Sequence, residues 1–170
     1  MKKILFVASA CFYLSACGFE PVYGTYTKNV RAGQESVQVQ LAQVGIGQIP
    51  DREGQFLRNA LIDRFYRDGR PQEVRYTLQI EPIDERTVDL DITKNSDATR
   101  AQLHLKTVMN LVDDNTGEIV LTRNLRSIAS YNVLTSEFAT RVSAQNTREN
   151  ALSDLARQIE LQISLYLRRN

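Results

Sequence analysis

The 170-residue chain contains little of the side-chain chemistry from which active sites and metal sites are built. It has one histidine, His104, which excludes a metal site built on two histidines. It also lacks a G-x-S-x-G nucleophile motif and a glycine-rich phosphate-binding loop. Asp89 and Asp91 are spaced as a carboxylate pair, but alternating acids on an exposed strand are usually solvated. We therefore predict that the protein is not an enzyme and carries no metal or other cofactor.

Neither charge nor hydrophobicity is concentrated in this chain. Its 21 lysine and arginine residues balance 20 acidic residues, which gives a formal net charge of +1. Nucleic-acid-binding domains normally carry a strongly basic face, so nucleic acid is not an expected partner. The apolar run from Ile4 to Leu14 is too short for a membrane-spanning helix, which needs about 20 residues. The sequence therefore predicts no transmembrane segment.

The start of the chain has the pattern of a bacterial lipoprotein signal peptide. Lys2 and Lys3 precede the apolar run, whose end reads Leu-Ser-Ala-Cys and resembles the lipobox, where a cysteine is acylated and becomes the new N-terminus. We predict that residues 1–16 are removed and that Cys17 carries the lipid; an ordinary signal peptide with an incidental cysteine is the alternative. The next residue, Gly18, is not the aspartate that signals retention in the inner membrane. We therefore expect delivery to the outer membrane, with the protein on its periplasmic face.

Acylation of Cys17 would explain the low cysteine content. Cys11 lies within the predicted signal peptide, so Cys17 is the only thiol of the mature chain and no internal disulfide can form. A nucleophilic site that combines cysteine with histidine is excluded for the same reason. More than one acyl chain makes membrane anchoring stable, so the body of the protein needs no membrane-spanning helix.

The mature chain is predicted to contain an irregular segment followed by one domain. Residues 17–35 are rich in glycine, tyrosine, threonine and proline without periodicity, and we expect a lipidated tether there. Residues 36–170 are long enough for a single domain, because a chain of about 150 residues buries about 68–70% of its unfolded surface.

Hydrophobic periodicity in this domain predicts the order β-α-β-β-β-α. The first strand is expected in "SVQVQLAQV", and a helix is expected to start at Pro50-Asp51, with Asp51 as its N-cap. Three alternating segments, "EVRYTLQIEP", "ATRAQLHLKTVMNLVD" and "EIVLTRNLRSIASYN", predict the other strands. The segment 84–98 is polar enough to be either a strand or a loop. The last helix ends near Arg168 and starts near either residue 136 or residue 147.

These elements predict an α+β fold. It is a two-layer sandwich in which a four-stranded mixed sheet carries two helices on one face. The first two strands are expected to be parallel because a helix connects them.

A hairpin is predicted at "DDNTG", with Gly117 in the left-handed conformation. Pairing Asp113 with Gly117 would set Leu105 beside Leu125 and His104 beside Arg126. This register would leave Arg123 on the apolar face of the sheet, so either its side chain reaches outward or a bulge intervenes.

The face of the sheet away from the helices is predicted to be polar and partly basic. Its expected members are Arg75, Thr77, Gln79, Arg100, Gln102, His104, Lys106 and Arg126. Arginine and lysine suit phosphate groups, arginine through paired hydrogen bonds and lysine as a point charge. The simpler interpretation is that these charges keep an open sheet face soluble and that His104 is solvated there.

Two segments of the chain resemble one family. "LSACGFEPVYG" resembles the opening of the lipopolysaccharide-assembly lipoproteins, the LptE family, which typically read L-x-A-C-G-F-x-P-x-Y-G. "SYNVLTSEFATRVSAQNTRENALSDLARQIELQISLYLRR" resembles the C-terminal part of the alphaproteobacterial branch, with its S-x-F-A-x-x-V segment. The resemblance covers the whole chain and is weakest in the middle.

The resemblance implies a four-stranded sheet with two helices on one side and a non-enzymatic role. Such a protein would plug an LptD-type outer-membrane β-barrel, help the barrel assemble, and assist insertion of lipopolysaccharide into the outer leaflet. For the phosphates of lipopolysaccharide, the candidate binding residues in this sequence are Arg75, Lys94, Arg100, Lys106 and Arg126.

Two other functions remain open at this point. An auxiliary lipoprotein of a lipid transporter would carry lipid in an apolar groove between sheet and helices and would have no stable barrel partner. A hydrolase with unrecognised residues would show a concave site with carboxylates of perturbed pKa.

Overall fold

A computed structural model describes residues 37–67, 69–70, 73–92 and 98–169, apart from the side chains of residues 91, 92 and 98. The predicted signal peptide, Cys17, the tether and Lys94 lie outside the described residues. Contacts between Cα atoms group residues Glu35–Asn170 into one compact unit.

The described residues form three helices and five strands. In chain order these are α1 (Val37–Ala42), β1 (Val44–Ile46), α2 (Asp51–Phe65), β2 (Tyr76–Ile80), β3 (Asp84–Ile92), β4 (Ala98–Asp113), β5 (Ile119–Asn132) and α3 (Glu137–Leu167). The predicted α+β class with a mixed sheet is confirmed. The open question about segment 84–98 is answered in part, because β3 adds a fifth strand there.

Strand β4 is the centre of the sheet. Strand β5 pairs antiparallel with β4 along one edge, while β2 and β3 pair antiparallel with successive halves of the other edge. Strand β1 pairs with β2 and runs parallel to it, as the intervening helix predicted. Residues 81–83 therefore link two strands that follow each other along the same edge of β4.

The helices cover one face of the sheet. Leu103, Leu105 and Met109 alternate along β4 and are almost fully buried, because successive side chains of a strand point to opposite faces. Leu155 and Ile159 of α3 are 0% exposed and belong to the same core. The alternation in the sequence therefore indicated the buried face of the central strand correctly.

The predicted first strand is a helix in the structure. Residues 37–42 form α1, and the strand β1 begins only at Val44. The segment alternates in sequence, but Val37 and Leu41 are also spaced by four residues, which places them on one face of a helix. Leu41 is buried whereas Val39 is 49% exposed, so packing against the helical layer selects the helical period.

Helix α2 starts as expected, but its cap differs from the prediction. The N-cap residue is Pro50, and Asp51 is the first helical residue with a left-handed φ of 66°. The first turn packs tightly on the preceding chain. A Cβ at Gly54 would lie 2.7 Å from Cγ2 of Ile49, so only glycine fits there without a shift.

The β4–β5 hairpin has a different register from the predicted one. Leu105 lies opposite Ser127 and His104 opposite Ile128, so the strands are displaced by two residues. An irregularity between Leu111 and Val112 contributes to the shift, while Gly117 adopts the predicted left-handed φ of 73°. A displacement by two residues keeps every side chain on its predicted face and changes only its partner.

Arg123 remains on the helix-covered face, opposite Met109. Its side chain is exposed and reaches outward, where Nε donates to Gln162 of α3 at 3.2 Å. The two alternatives for this residue, an outward-reaching side chain and a bulge, therefore both occur.

Helix α3 is continuous from Glu137 to Leu167, which settles the question of its start in favour of Ser136 as the N-cap. One polar residue of α3, Arg148, contacts strand β3. Arg148 donates two hydrogen bonds to Glu85 at 2.6 and 2.7 Å and a third to Gln145. The hydrogen bond to Glu85 raises the pKa of Arg148, so this contact holds a permanently charged guanidinium.

A second polar contact joins α3 to the sheet. Asp154 accepts hydrogen bonds from Ser127 of β5 at 3.0 Å and from Gln158 at 2.8 Å. Burial alone would raise the pKa of Asp154, but these bonds and the nearby Arg157 outweigh it and hold the pKa below its usual value. The shift reflects a satisfied structural carboxylate, which is not the raised pKa of a general acid.

Candidate functional site

We call the sheet surface opposite the helices the open face. Along β4 it contains Arg100, Gln102, His104, Lys106, Val108 and Asn110, and its neighbours on β2, β3 and β5 include Thr77, Gln79, Asp84, Arg86, Asn124, Arg126 and Ile128. Most of these side chains are exposed or half-buried. The predicted polar and partly basic character is therefore present, although Val88, Val108 and Ile128 add apolar side chains, of which Ile128 is 47% exposed.

Arg75 does not belong to the open face, contrary to the prediction. It precedes β2, and its guanidinium carbon lies 5.1 Å from the centre of the Tyr76 ring. That ring points to the helix-covered side, where it packs edge-on against Tyr166 of α3 at 6.1 Å. A cation over an aromatic face is a stable arrangement by itself. The Arg75 guanidinium therefore lies against the Tyr76 ring at the start of β2 and not among the cations of the open face.

Lys106 and Arg126 lie directly opposite each other on β4 and β5. The Cβ atoms of directly opposed residues are about 4.5–5.5 Å apart, so two positive charges are adjacent at this point. Both side chains are exposed, and neither forms an ion pair within 4 Å in the part of the chain that the structure describes. Among the predicted binding residues that the structure describes, Lys106 and Arg126 are the two that come together.

A carboxylate lies beside Lys106 on the strand opposite to that of Arg126. Asp84, the first residue of β3, lies directly opposite Lys106, so Asp84, Lys106 and Arg126 follow one another across three strands. Asp84 is not among the residues that the sequence predicts for the site, because segment 84–98 fits either a strand or a loop. The available signal for a strand in this segment was the alternation of Val88, Leu90 and Ile92 with Asp89 and Asp91.

A surface cavity of about 420 Å³ lies over this row, and we call it the edge pocket. Its lining consists of Glu81, Pro82, Asp84, Lys106, Thr107, Val108, Asn124, Leu125 and Arg126. It forms where β2 has ended and β3 begins. The linking residues are fixed to β4, since the Glu81 amide donates to Val108 at 2.9 Å and Thr107 Oγ1 donates to the Glu81 carbonyl at 2.8 Å. The pocket therefore has a rigid wall.

The remaining predicted residues are dispersed. Arg100 lies six residues from Lys106 along β4, which corresponds to about 20 Å in a strand. His104 lies between Arg86 and Ile128, and its Nε2 is 3.1 Å from Oε1 of Gln102. It is therefore a half-buried member of the open face.

The centre of the space between the sheet and the helices is filled with side chains. Leu57 and Leu61 of α2 and Leu155 of α3 are 0% exposed, and they pack with β4 residues in one cluster. A second surface cavity, of about 650 Å³, opens between β5 and the end of α3 and includes Arg123 and Arg169 in its lining. The packing of the core removes support for a lipid-carrying groove beneath the helices.

The described residues contain no group of three or more histidine, cysteine, aspartate and glutamate side chains that could hold a metal ion. Within the same part of the chain, none of the helices has the length and hydrophobicity to cross a membrane.

The family model LptE, described as lipopolysaccharide-assembly, matches residues 35–165. The chain belongs to the LptE family. The match covers all five strands and nearly all of α3, so the LptE assignment rests on the folded domain and not on the signal-peptide pattern. It confirms the resemblance that the two terminal segments suggested. No curated protein sequence matches the chain.

Solved lipoprotein structures share the fold of this LptE domain. A lipoprotein of Caulobacter crescentus CB15 matches 79% of this chain and 97% of its own length, with a TM-score of 0.64 and 21% identity. Rare lipoprotein B of Shewanella oneidensis matches 72% of this chain and 92% of its own length, with a TM-score of 0.57 and 8% identity. A minor lipoprotein of Acinetobacter baumannii has the same coverages, a TM-score of 0.52 and 20% identity. These similarities concern the fold alone.

Proposed function

We propose that this protein is an outer-membrane lipoprotein that plugs an LptD-type β-barrel, helps that barrel assemble, and assists insertion of lipopolysaccharide into the outer leaflet. The observation that carries the proposal is the LptE family match across the whole folded domain. The role is non-enzymatic, and attachment to the periplasmic face of the outer membrane is through acylated Cys17.

The open face supports the plug proposal. It is mostly polar and exposed along four strands, and none of the helices in the described residues covers it, so it suits the hydrated wall of a barrel lumen. The outer surface of α3 adds an apolar area, since Phe138 is 77% exposed and Val142, one turn later, is 44% exposed. Exposed apolar surface of this kind is typical of a protein that has a partner.

The residues that we propose to contact lipopolysaccharide directly are Lys106 and Arg126. Two adjacent cations without a carboxylate within 4 Å suit a phosphate, which arginine can bind through two parallel hydrogen bonds. Arg100, about 20 Å away, could contact a second charged group of a molecule as large as lipopolysaccharide. Lys94 remains a candidate, although it lies outside the described residues.

The proposal predicts that a barrel copurifies with this protein. Affinity purification of the tagged chain from detergent-solubilised outer membranes should recover one large, heat-modifiable β-barrel protein in roughly equal amount. A matched purification with the Phe138→Ser, Val142→Ser variant tests whether the apolar area of α3 contributes to the contact. Recovery of intact lipoprotein without any barrel would reject the plug and favour the auxiliary lipid-transporter alternative.

The anchoring proposal predicts a change in localisation for Cys17→Ala. This variant cannot be acylated, so the protein should leave the outer-membrane fraction, and mass spectrometry of the wild-type N-terminal peptide should show the mass of the acyl chains. Cys11→Ala is the matched control, because that cysteine lies in the predicted signal peptide. Unchanged membrane association of Cys17→Ala would contradict a lipid anchor at this residue.

A further inference from the structure

The edge pocket contains two adjacent like charges, and Asp84 offsets their repulsion only at Lys106, which lies directly opposite it. Like charges directly opposite each other on neighbouring strands destabilise a sheet, and Lys106 and Arg126 form such a pair. Neither side chain is relieved by an ion pair within the described residues. Departures from local rules of stability are expected at functional sites, so this pair points to an anionic ligand.

The pocket is not uniformly cationic, which narrows the class of ligand. Asp84 lies opposite Lys106 on the other side, and its carboxylate is not within 4 Å of a cationic side chain in the described chain. Glu81 adds a second acidic side chain to the same wall. Neighbouring strands lie about 4.7–4.9 Å apart. Asp84 is therefore one strand spacing from Lys106 and two strand spacings from Arg126. A ligand that matches this row carries a negative and a positive group a few bonds apart.

The remaining lining is suited to a short apolar linker. Pro82 and Val108 contribute apolar surface beside the charged residues, whereas Leu125 belongs to the core on the other face of the sheet, and the volume of about 420 Å³ falls in the range of small-ligand pockets. The backbone contacts of Glu81 and Thr107 with β4 keep the wall in place, so a ligand would enter a largely preformed site.

We propose that the edge pocket binds a phosphoethanolamine group, with its phosphate at Lys106 and Arg126 and its ammonium at Asp84 and Glu81. The group occurs in phosphatidylethanolamine and on lipopolysaccharide decorated with phosphoethanolamine. The inference rests on the proposed lipid-handling function and deepens it. A site for phosphate alone would show no preference for a zwitterionic headgroup, whereas this site should show one.

Selectivity between two headgroups provides the test. The full-length acylated chain, purified in a neutral detergent, is titrated with short-chain phosphatidylethanolamine or phosphatidylglycerol, and bound lipid is measured by native mass spectrometry. We expect phosphatidylethanolamine to bind about three- to fivefold more tightly, since a solvent-exposed ion pair contributes a modest gain. Equal affinity for the two lipids, or binding of neither, would overturn the proposal.

Three variants separate the two ends of the site. Asp84→Asn should abolish the preference and leave binding of phosphatidylglycerol unchanged, whereas Lys106→Gln combined with Arg126→Gln should weaken both lipids about tenfold. Arg86→Gln, an exposed cation on the same face but outside the pocket lining, is the matched control and should bind like the wild type. A preference that survives Asp84→Asn would contradict the assigned role of the carboxylate. Each variant changes an exposed residue, and thermal unfolding confirms that it folds.

Lipopolysaccharide with and without phosphoethanolamine identifies the source of the group. Tighter binding of the decorated form supports lipopolysaccharide, and a preference seen only with phospholipids supports phosphatidylethanolamine. Copurification of a barrel is measured on the same Asp84→Asn preparation and should be unchanged. Loss of the barrel from wild-type purifications would reject the plug while leaving the headgroup preference intact, so the two proposals fail in different experiments.

Discussion

Replacing Phe65 with alanine is expected to lower the free energy of unfolding by about 3–5 kcal/mol. Phe65 is the last residue of α2, and its side chain is 0% exposed in the core between the helices and the sheet. Truncation removes the transfer free energy of the ring and leaves a cavity that the close-packed neighbours fill only in part. Chemical denaturation followed by circular dichroism measures the change.

The chain offers a matched control in a second phenylalanine. Phe138 lies on the first turn of α3 and is 77% exposed, so Phe138→Ala should change the stability by no more than about 0.5 kcal/mol. The contrast isolates burial, because both substitutions delete the same ring from a helix. Similar losses for the two variants would show that the helical layer does not pack as described.

Replacing Arg64 with methionine is expected to lower the free energy of unfolding by about 2–3 kcal/mol. Arg64 donates to Glu160 at 2.9 Å, and the Glu160 side chain is only 2% exposed. Removing one partner of a buried pair typically costs about 3–5 kcal/mol, because the other charge is left desolvated and unpaired. We expect a smaller loss, since Arg64 is 26% exposed and Arg67 remains 3.6 Å from the same carboxylate.

Arg157→Met is the control for the loss of an arginine from a helical ion pair. Its partner Asp154 is 38% exposed and also accepts hydrogen bonds from Ser127 and Gln158, so the loss should stay below about 1 kcal/mol. Combining Arg64→Met with Glu160→Met should restore most of the stability lost in the single variant, because no unpaired charge is then buried. Failure of the double variant to recover would show that packing of Arg64, not its charge, is responsible.

Much of the fold could be predicted because local patterns and tertiary packing agree in its long elements. The alternation along β4 indicates the buried face without knowledge of the partner strands, since the side-chain period of a strand is two. Helix α3 was predicted to end near Arg168, and it ends at Leu167 with Arg168 as its C-cap. The family could be recognised as well, because the cysteine motif and the C-terminal segment resemble known members.

The short elements could not be predicted in the same way. A six-residue segment such as 37–42 fits both the helical and the strand period, and its contacts with α2 and α3 decide between them. The register of β4 and β5 depends in part on an irregularity between Leu111 and Val112. No pattern of residues in the sequence predicts this irregularity.

The sequence by itself determined the fold class, the buried face of the central strand, the lipoprotein resemblance and the absence of a second histidine. These properties follow from residue identity and spacing alone. Only the tertiary structure decided that Arg126 faces Lys106, that Asp84 completes the row, and that Arg75 is elsewhere. The physical reason is that a binding site is a set of distances between strands, and those distances depend on register and strand order, which many weak contacts fix together.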